Sequence, residues 1–246
     1  MQCMIIPAAG RGTRLNSDLP KLLFKIQGVS LIEYVLRRHS EFIQHFVVVI
    51  HPDMQEAVSR ELDKCGYDYS LAYQTQATGM LDAILLASDN VRTLDPTTIW
   101  ISWCDQVAIS QKTASTLNQF TSELGEFGMA LPTMTKSEPY IHLSRNTQGQ
   151  ITDILQRREG DAMPRVGEND CGLFAMTIAT YLQQLPEFTR SMVIGTATAE
   201  RNFLPFIPWL TKRAAVNTFA VENINESIGV NTIEEAETLA KHFQDI

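Results

Sequence analysis

The string Ala8-Ala9-Gly10-Arg11-Gly12-Thr13-Arg14, followed by Pro20-Lys21, holds residue types suited to phosphate chemistry. Glycines let backbone N–H groups approach phosphate oxygens with no Cβ in the way, and Arg14 and Lys21 add charge. The string follows the apolar run Met4–Pro7, which places it at the carboxyl end of a first strand. Open α/β sheets bind ligands at that edge. The spacing is neither a dinucleotide fingerprint, whose third glycine is absent, nor a P-loop. A bare G-x-G is more often a basic surface turn, but the longer string is more specific.

Four further constellations could act on the same ligand. Asp105 follows the apolar strand pattern Ile99–Trp103. An acid there is usually a turn residue or a cap, yet a lone carboxylate also suits Mg²⁺, which takes one or two carboxylates plus phosphates and waters. Gly229-Val230-Asn231 stands directly before a helix that starts at Thr232, where an Asn by itself reads as a cap. Gln74, followed by Ala77-Thr78-Gly79, is either a solvated amide or a reader of a uracil or thymine edge. Gln156-Arg157-Arg158 and Glu168-Asn169-Asp170-Cys171-Gly172 read as solvated loop charges, with Arg158 also able to hold a phosphate in a fork.

Other chemistries find no support. The five histidines show no H-E-x-x-H spacing, and no G-x-S-x-G elbow is present. Cys3, Cys65, Cys104 and Cys171 form no C-x-x-C pair and read as reduced cytosolic thiols. The net charge of −8 disfavours a general nucleic-acid binder or a polybasic membrane protein. Residues 1–25 carry Arg11, Arg14, Lys21 and Lys25 against Asp18 alone, so the expected partner is a small anion. No apolar run reaches membrane-spanning length, and no positive segment precedes Met4–Pro7, so neither a transmembrane helix nor a secretory signal is expected.

The elements that must position these residues follow from apolar periodicity. Strands are expected at Met4–Pro7, Phe46–Ile50, Ser70–Tyr73, Thr98–Trp103, Met129–Leu131, Tyr140–Leu143, Gly172–Met176 and Ala215–Val221. A helix from Ser30 should present Ile32, Val35, Leu36, Phe42 and Ile43 on one face, with Ser30 and Glu33 as a capping box. Further helices are expected at Asp53–Lys64 and Thr78–Ala87, from Ser110 through Leu124, and from Thr232, where Glu235 completes a second capping box. Gln156–Asp170 lacks periodicity and reads as a long binding loop. Strand–helix alternation means α/β with a largely parallel sheet. With no linker or repeat in 246 residues, one domain spanning 1–246 is expected.

Pro7 to Lys21, continuing through Leu22-Leu23-Phe24-Lys25-Ile26-Gln27-Gly28 into Leu31-Ile32-Glu33-Tyr34, closely resembles the opening of the sugar nucleotidyltransferases. The nearest pattern is the pyrophosphorylase domain of the bacterial N-acetylglucosamine-1-phosphate uridylyltransferases, L-x-x-G-x-G-T-x-M, four residues, then P-K. Pro7 replaces its Leu and Leu15 its Met. The acyltransferase repeats of the two-function members are not expected here. The resemblance implies a Rossmann-like three-layer α/β/α nucleotidyltransferase fold with a mostly parallel mixed sheet. It also implies a cytoplasmic Mg²⁺-dependent enzyme that joins a nucleoside triphosphate, UTP first, to a sugar 1-phosphate and releases pyrophosphate. No nucleic acid or membrane partner is implied.

The roles it implies are as follows. Arg14 and Lys21 would be catalytic. Ala8, Ala9, Gly10, Gly12, Thr13, Gln74, Thr78 and Gly79 would hold the nucleotide. Asp105 and Asn231 would hold Mg²⁺. Trp103, Tyr140, Gln156, Arg158, Asp170 and Gly172 would face the sugar phosphate. Related chemistries with the same opening are a cytidylyltransferase for a polyol phosphate or phosphocholine and a molybdopterin nucleotidyltransferase; a catalytically silent nucleotide-sugar sensor is the non-enzyme alternative. On the sugar side the family pattern is altered at Trp103, Ile141, His142, Gln156 and Asp170, so N-acetylglucosamine 1-phosphate is not the expected acceptor.

Overall fold

A computed structural model of the chain describes residues 1–10, 15 and 19–244. Its strands, in chain order, are β1 (Gln2–Pro7), β2 (Lys25–Ile26), β3 (Val29–Ser30), β4 (His45–Ile50), β5 (Tyr69–Tyr73), β6 (Thr98–Ser102), β7 (Gly128–Ser137), β8 (Ile141–Arg145), β9 (Ile151–Gln156), β10 (Val166–Asp170), β11 (Leu173–Thr177) and β12 (Ala215–Ala220). The α-helices are α1 (Leu31–His39), α2 (Gln55–Cys65), α3 (Met80–Leu86), α4 (Ser88–Leu94), α5 (Gln111–Thr121), α6 (Leu185–Ser191), α7 (Phe206–Thr211) and α8 (Ile233–Gln244).

β5, β4, β1 and β6 pair in parallel, in that order across the sheet. β11 joins β6 antiparallel and β7 follows, with β12 parallel along the far side of β7. The result is the expected mixed, mostly parallel sheet. Its central strands read as continuous apolar runs because both faces are covered. Met4 and Ile6 of β1 enter one core with α1, α2, α5 and α8. Cys3 and Ile5 enter the other with α3, α4, α6 and α7. That is the three-layer arrangement.

Local signals set most boundaries. Ser30 accepts the Glu33 N–H at 3.3 Å and starts α1. Thr232 Oγ1 accepts the Glu235 N–H at 3.2 Å, and Glu235 Oε2 reaches back to the Thr232 N–H at 2.9 Å. Two helices are shorter than their apolar spacing suggests. α1 ends at His39, and Phe42 and Ile43 pack on the core from the turn beyond it. α5 ends at Thr121, and Leu124 packs against the core from outside the helix.

The expected loop Gln156–Asp170 needs correction. Gln156 closes β9, and Val166–Asp170 is a strand paired along β7. Asp170 pairs with Thr133, whereas Ala175 pairs with Ala130. Two extra residues are therefore taken up at Cys171–Gly172, a bulge between β10 and β11, both of which run along the same edge of β7. Among the described residues no helix is long and apolar enough to cross a membrane.

Candidate active site

A cleft of about 770 Å³ opens at the carboxyl edge of the parallel strands. Its first wall comes from the end of β1. Ala8 donates its N–H to Val49 O at 2.8 Å, and Ala8 and Gly10 line the cleft with Ala9 between them. Gly12, Thr13 and Arg14, like Arg11, lie outside the described residues. Lys21 starts a 3₁₀ turn, Lys21–Leu23. Leu22 and Leu23 are buried and hold that turn against the core, which keeps Lys21 at the cleft.

Lys21, Asp105 and Asn231 come together from three distant segments. Lys21 Nζ donates to Asp105 Oδ2 and, at 2.7 Å, to Asn231 Oδ1. The amide of Asn231 is fixed by its Nδ2, which donates to Gly229 O at 3.0 Å, so its oxygen faces the lysine. The Val230 N–H donates to Asp105 O at 3.1 Å and ties the two loops together. A Cβ on Gly229 would lie 3.2 Å from the Asp105 carboxylate. Thus a carboxylate oxygen and an amide oxygen converge on the Lys21 ammonium, with Gly229 packed close against the carboxylate. Such hard oxygen donors fit Mg²⁺ when the ammonium moves aside.

Trp103, Tyr140, Gln156, Arg158 and Asp170, which the resemblance assigns to the sugar phosphate, also line the cleft. Trp103 stands edge-on to Phe203 at 6.0 Å and tilts against Phe174 at 5.2 Å. Gly172 does not line the cleft; it shapes it. Its φ of +66° sits in the left-handed region, and a Cβ there would come within 2.5 Å of Trp103 Cδ1. Its N–H donates to Asp170 Oδ1 at 2.8 Å and its carbonyl accepts the Trp103 N–H at 3.0 Å. Arg158 is engaged: Nη2 donates to Glu200, and Nε lies 3.9 Å from Glu159.

Gln74, Thr78 and Gly79 are absent from the cleft lining, although Met80 beside them is part of it. Gln74 is buried, and its Nε2 donates to Gly79 O at 3.1 Å. Gly79 is required by close approach, because a Cβ would lie 2.5 Å from the Arg201 backbone. That backbone zips to the loop through Arg201 N to Thr78 O at 2.8 Å and Leu81 N to Arg201 O at 3.0 Å.

Asn169, part of the string Glu168–Gly172, lines the cleft from β10. Lys136 and Asn202 carried no sequence signal, yet they line it from β7 and from the segment before α7. Glu159 fastens that segment: it accepts from Thr198 Oγ1 at 2.5 Å, from Asn202 Nδ2 at 2.9 Å and from the Ala197 N–H at 3.0 Å. These bonds, the Thr198 hydroxyl foremost, hold its carboxyl down at about 2.

Burial pushes Asp170 up to about 6, only partly offset by the Gly172 N–H and the Lys136 charge. A folded value above the free value of 3.8 means that ionisation opposes folding. The penalty is absent below pH ~4, where the carboxyl is protonated in both states, and complete above about 6. Asp170→Asn retains an oxygen for the Gly172 N–H. It is expected to raise stability by up to ~3 kcal/mol at pH 8 and to leave it unchanged at pH 4. Paired thermal melts at the two pH values check this, and an equal shift at both would refute it.

The sheet order, with β10 and β11 antiparallel to the other strands and a cleft at the carboxyl edge, is that of a nucleotidyltransferase of the three-layer α/β/α kind. Residues 4–167 match the MobA-like NTP transferase domain, and the chain belongs to that family. It is 26% identical over 247 residues to the bifunctional protein GlmU of Streptococcus pyogenes serotype M5, a match covering 96% of this chain and 51% of that protein. GlmU of Streptococcus thermophilus is also 26% identical, over 92% of this chain and 48% of its own. The chain thus spans about half the length of these curated relatives. A crystal structure from Bacillus anthracis, described as a glucose-1-phosphate thymidylyltransferase in complex with sucrose, superposes with a TM-score of 0.77. The superposition covers all of this chain and 96% of that one at 15% identity, which shows the shared fold.

Proposed function

We propose that the chain, as one domain, transfers a nucleotidyl group from a pyrimidine nucleoside triphosphate to a small phosphorylated acceptor of the sugar 1-phosphate type, in the cytosol. The convergence of Lys21, Asp105 and Asn231 at the cleft carries this reading. An oxygen of the acceptor phosphate attacks the α-phosphorus in line. A new P–O bond forms, the α–β bridging bond breaks, and pyrophosphate leaves with that electron pair. The acceptor phosphate is already ionised at neutral pH, so no general base is needed.

Catalysis here is positioning and charge neutralisation. Gly10, with Gly12 and Thr13, offers backbone donors to the triphosphate. Lys21 and Arg14 neutralise charge that builds on the departing phosphates. Asp105 and Asn231 would hold Mg²⁺, whose charge would add to this neutralisation. Gln74, although buried and outside the cleft lining, is the proposed reader of the base. Its Nε2 is engaged within its own loop, which leaves Oε1 to accept from a base edge such as the N3–H of uracil or thymine.

A matrix of four nucleoside triphosphates against hexose, amino-sugar and polyol phosphates and phosphocholine, followed by pyrophosphate release, tests the proposal. UTP or dTTP is expected first and CTP second; a preference for GTP or ATP would overturn the base assignment. N-acetylglucosamine 1-phosphate is expected to be turned over at least ~10-fold more slowly than the best acceptor, because unmatched polar groups cost roughly 1–3 kcal/mol each. Trp103, Ile141, Gln156 and Asp170 all line the cleft and support that expectation; His142 does not. Asn169 brings an amide next to Asp170, but its Oδ1 is taken by the Ile141 N–H at 3.1 Å. If N-acetylglucosamine 1-phosphate proves the best substrate, the sugar-side assignment is wrong.

A further inference from the structure

Three cationic side chains line the cleft among the described residues: Lys21, Lys136 and Arg158. Two of them are spent. Lys21 is held between Asp105 and Asn231. Arg158 is paired with Glu200 and lies beside Glu159. Lys136 has no carboxylate within ion-pair distance among the described residues. Its one hydrogen bond is a long one, Nζ to Ser227 Oγ at 3.4 Å. An ammonium carries three donors, so most of its capacity faces the cleft.

The position of Lys136 relates it to the acceptor. It sits on the carboxyl half of β7, opposite Gly167 of β10, the strand that carries Asn169 and Asp170 to the cleft. Ser227, its contact, lies two residues before Gly229, which packs against the Asp105 carboxylate. Lys136 therefore stands between the acceptor half and the point where the α-phosphate must lie. Acidic groups line the same cleft: Asp170, Glu234 and Glu235. A phosphate dianion entering a partly desolvated, acid-lined cleft needs a cation to meet it.

We propose that Lys136, rather than Arg158, is the side chain that binds the phosphate of the acceptor. This rests on the nucleotidyltransferase reading above. The effect is confined to one substrate: the nucleotide is served by the Gly10 loop and Lys21, and the acceptor by Lys136.

The test uses the full chain and the best acceptor from the pyrophosphate-release panel. Lys136→Met keeps the aliphatic stem and removes the charge. It is expected to raise the acceptor KM by at least about tenfold, as loss of a charge-assisted hydrogen bond does, while the triphosphate KM stays within about twofold. Lys136→Arg should restore most of the affinity, a rescue that a merely structural role would not give. Arg158→Ala should raise the acceptor KM much less than Lys136→Met does. An unchanged acceptor KM in Lys136→Met, or an equal or larger rise in Arg158→Ala, would overturn the assignment.

A direct measurement separates this from failure of the functional reading. Inorganic phosphate is titrated by ³¹P NMR into protein whose nucleotide half is filled with an α,β-imido analogue of UTP. Wild type should bind phosphate about tenfold more tightly than Lys136→Met. If no acceptor supports pyrophosphate release, the functional reading fails, and the titration still decides for or against Lys136: equal binding by the two proteins rejects it.

Discussion

Asp105→Ala is expected to lower turnover by roughly 10²–10³, or more, while the protein stays folded. Asp105 supplies one of the two oxygens that converge on the Lys21 ammonium at the cleft, and the other belongs to the uncharged Asn231 amide. The substitution leaves Lys21 bonded to Asn231 at a cleft open to water. The thermal midpoint should therefore move by less than ~5 °C in a chain of this size. Asp105→Asn sharpens the test, because it preserves volume and one oxygen and removes only the charge. Pyrophosphate release measured across a Mg²⁺ series reads the outcome. Wild-type turnover by Asp105→Ala at limiting Mg²⁺ would remove the residue from the cation site.

The fold and half of this site were legible because they are written locally. A strand buried on both faces must be apolar along its length, so β1, β4 and β6 announce themselves. A helix start needs its donors met, so Ser30 and Thr232 mark α1 and α8. A phosphate loop at the end of β1 requires glycine, and Lys21 follows it in the same short stretch. Asp105 and Asn231 are different. Each alone looks like a turn or cap residue, and only the register of β6 and the Val230 bond to Asp105 show that they face one lysine.

What the sequence hid depends on contacts between distant segments. Val166–Asp170 carries Gly, Asn and Asp, residue types disfavoured in strands, and it becomes β10 because β7 offers it a long edge. Lys136 sits in a polar half-strand with no neighbour in sequence to mark it, and it matters only because Ser227 and the Gly229–Asn231 loop arrive beside it. Glu159 resembles any loop acid until the segment of Thr198 and Asn202 folds onto it. Arg158 shows the converse. The sequence makes it a natural phosphate fork, and the same fold that forms the cleft pairs it with Glu200.

Lys21→Ala is expected to reduce turnover by about 10²–10³, with a much smaller change in triphosphate affinity. A point charge beside a leaving pyrophosphate acts most strongly when that charge develops, so its removal falls on kcat rather than on binding. The geometry adds a second expectation. The Lys21 ammonium lies between Asp105 Oδ2 and Asn231 Oδ1, and without it these two oxygens lose their shared donor. The variant should therefore bind Mn²⁺ more tightly than wild type when no nucleotide is present, a change that paramagnetic resonance detects without any turnover. Lys21→Arg would refill the gap with a wider, planar cation and should not show the tighter Mn²⁺ binding. Single-turnover kinetics separate the two roles of the lysine. If triphosphate affinity falls steeply and the chemical step does not, Lys21 is a ground-state clamp and the transition-state assignment is lost. If Mn²⁺ affinity is the same with and without the ammonium, the two oxygens do not form a cation site on their own, and the fit of Mg²⁺ to Asp105 and Asn231 fails with it.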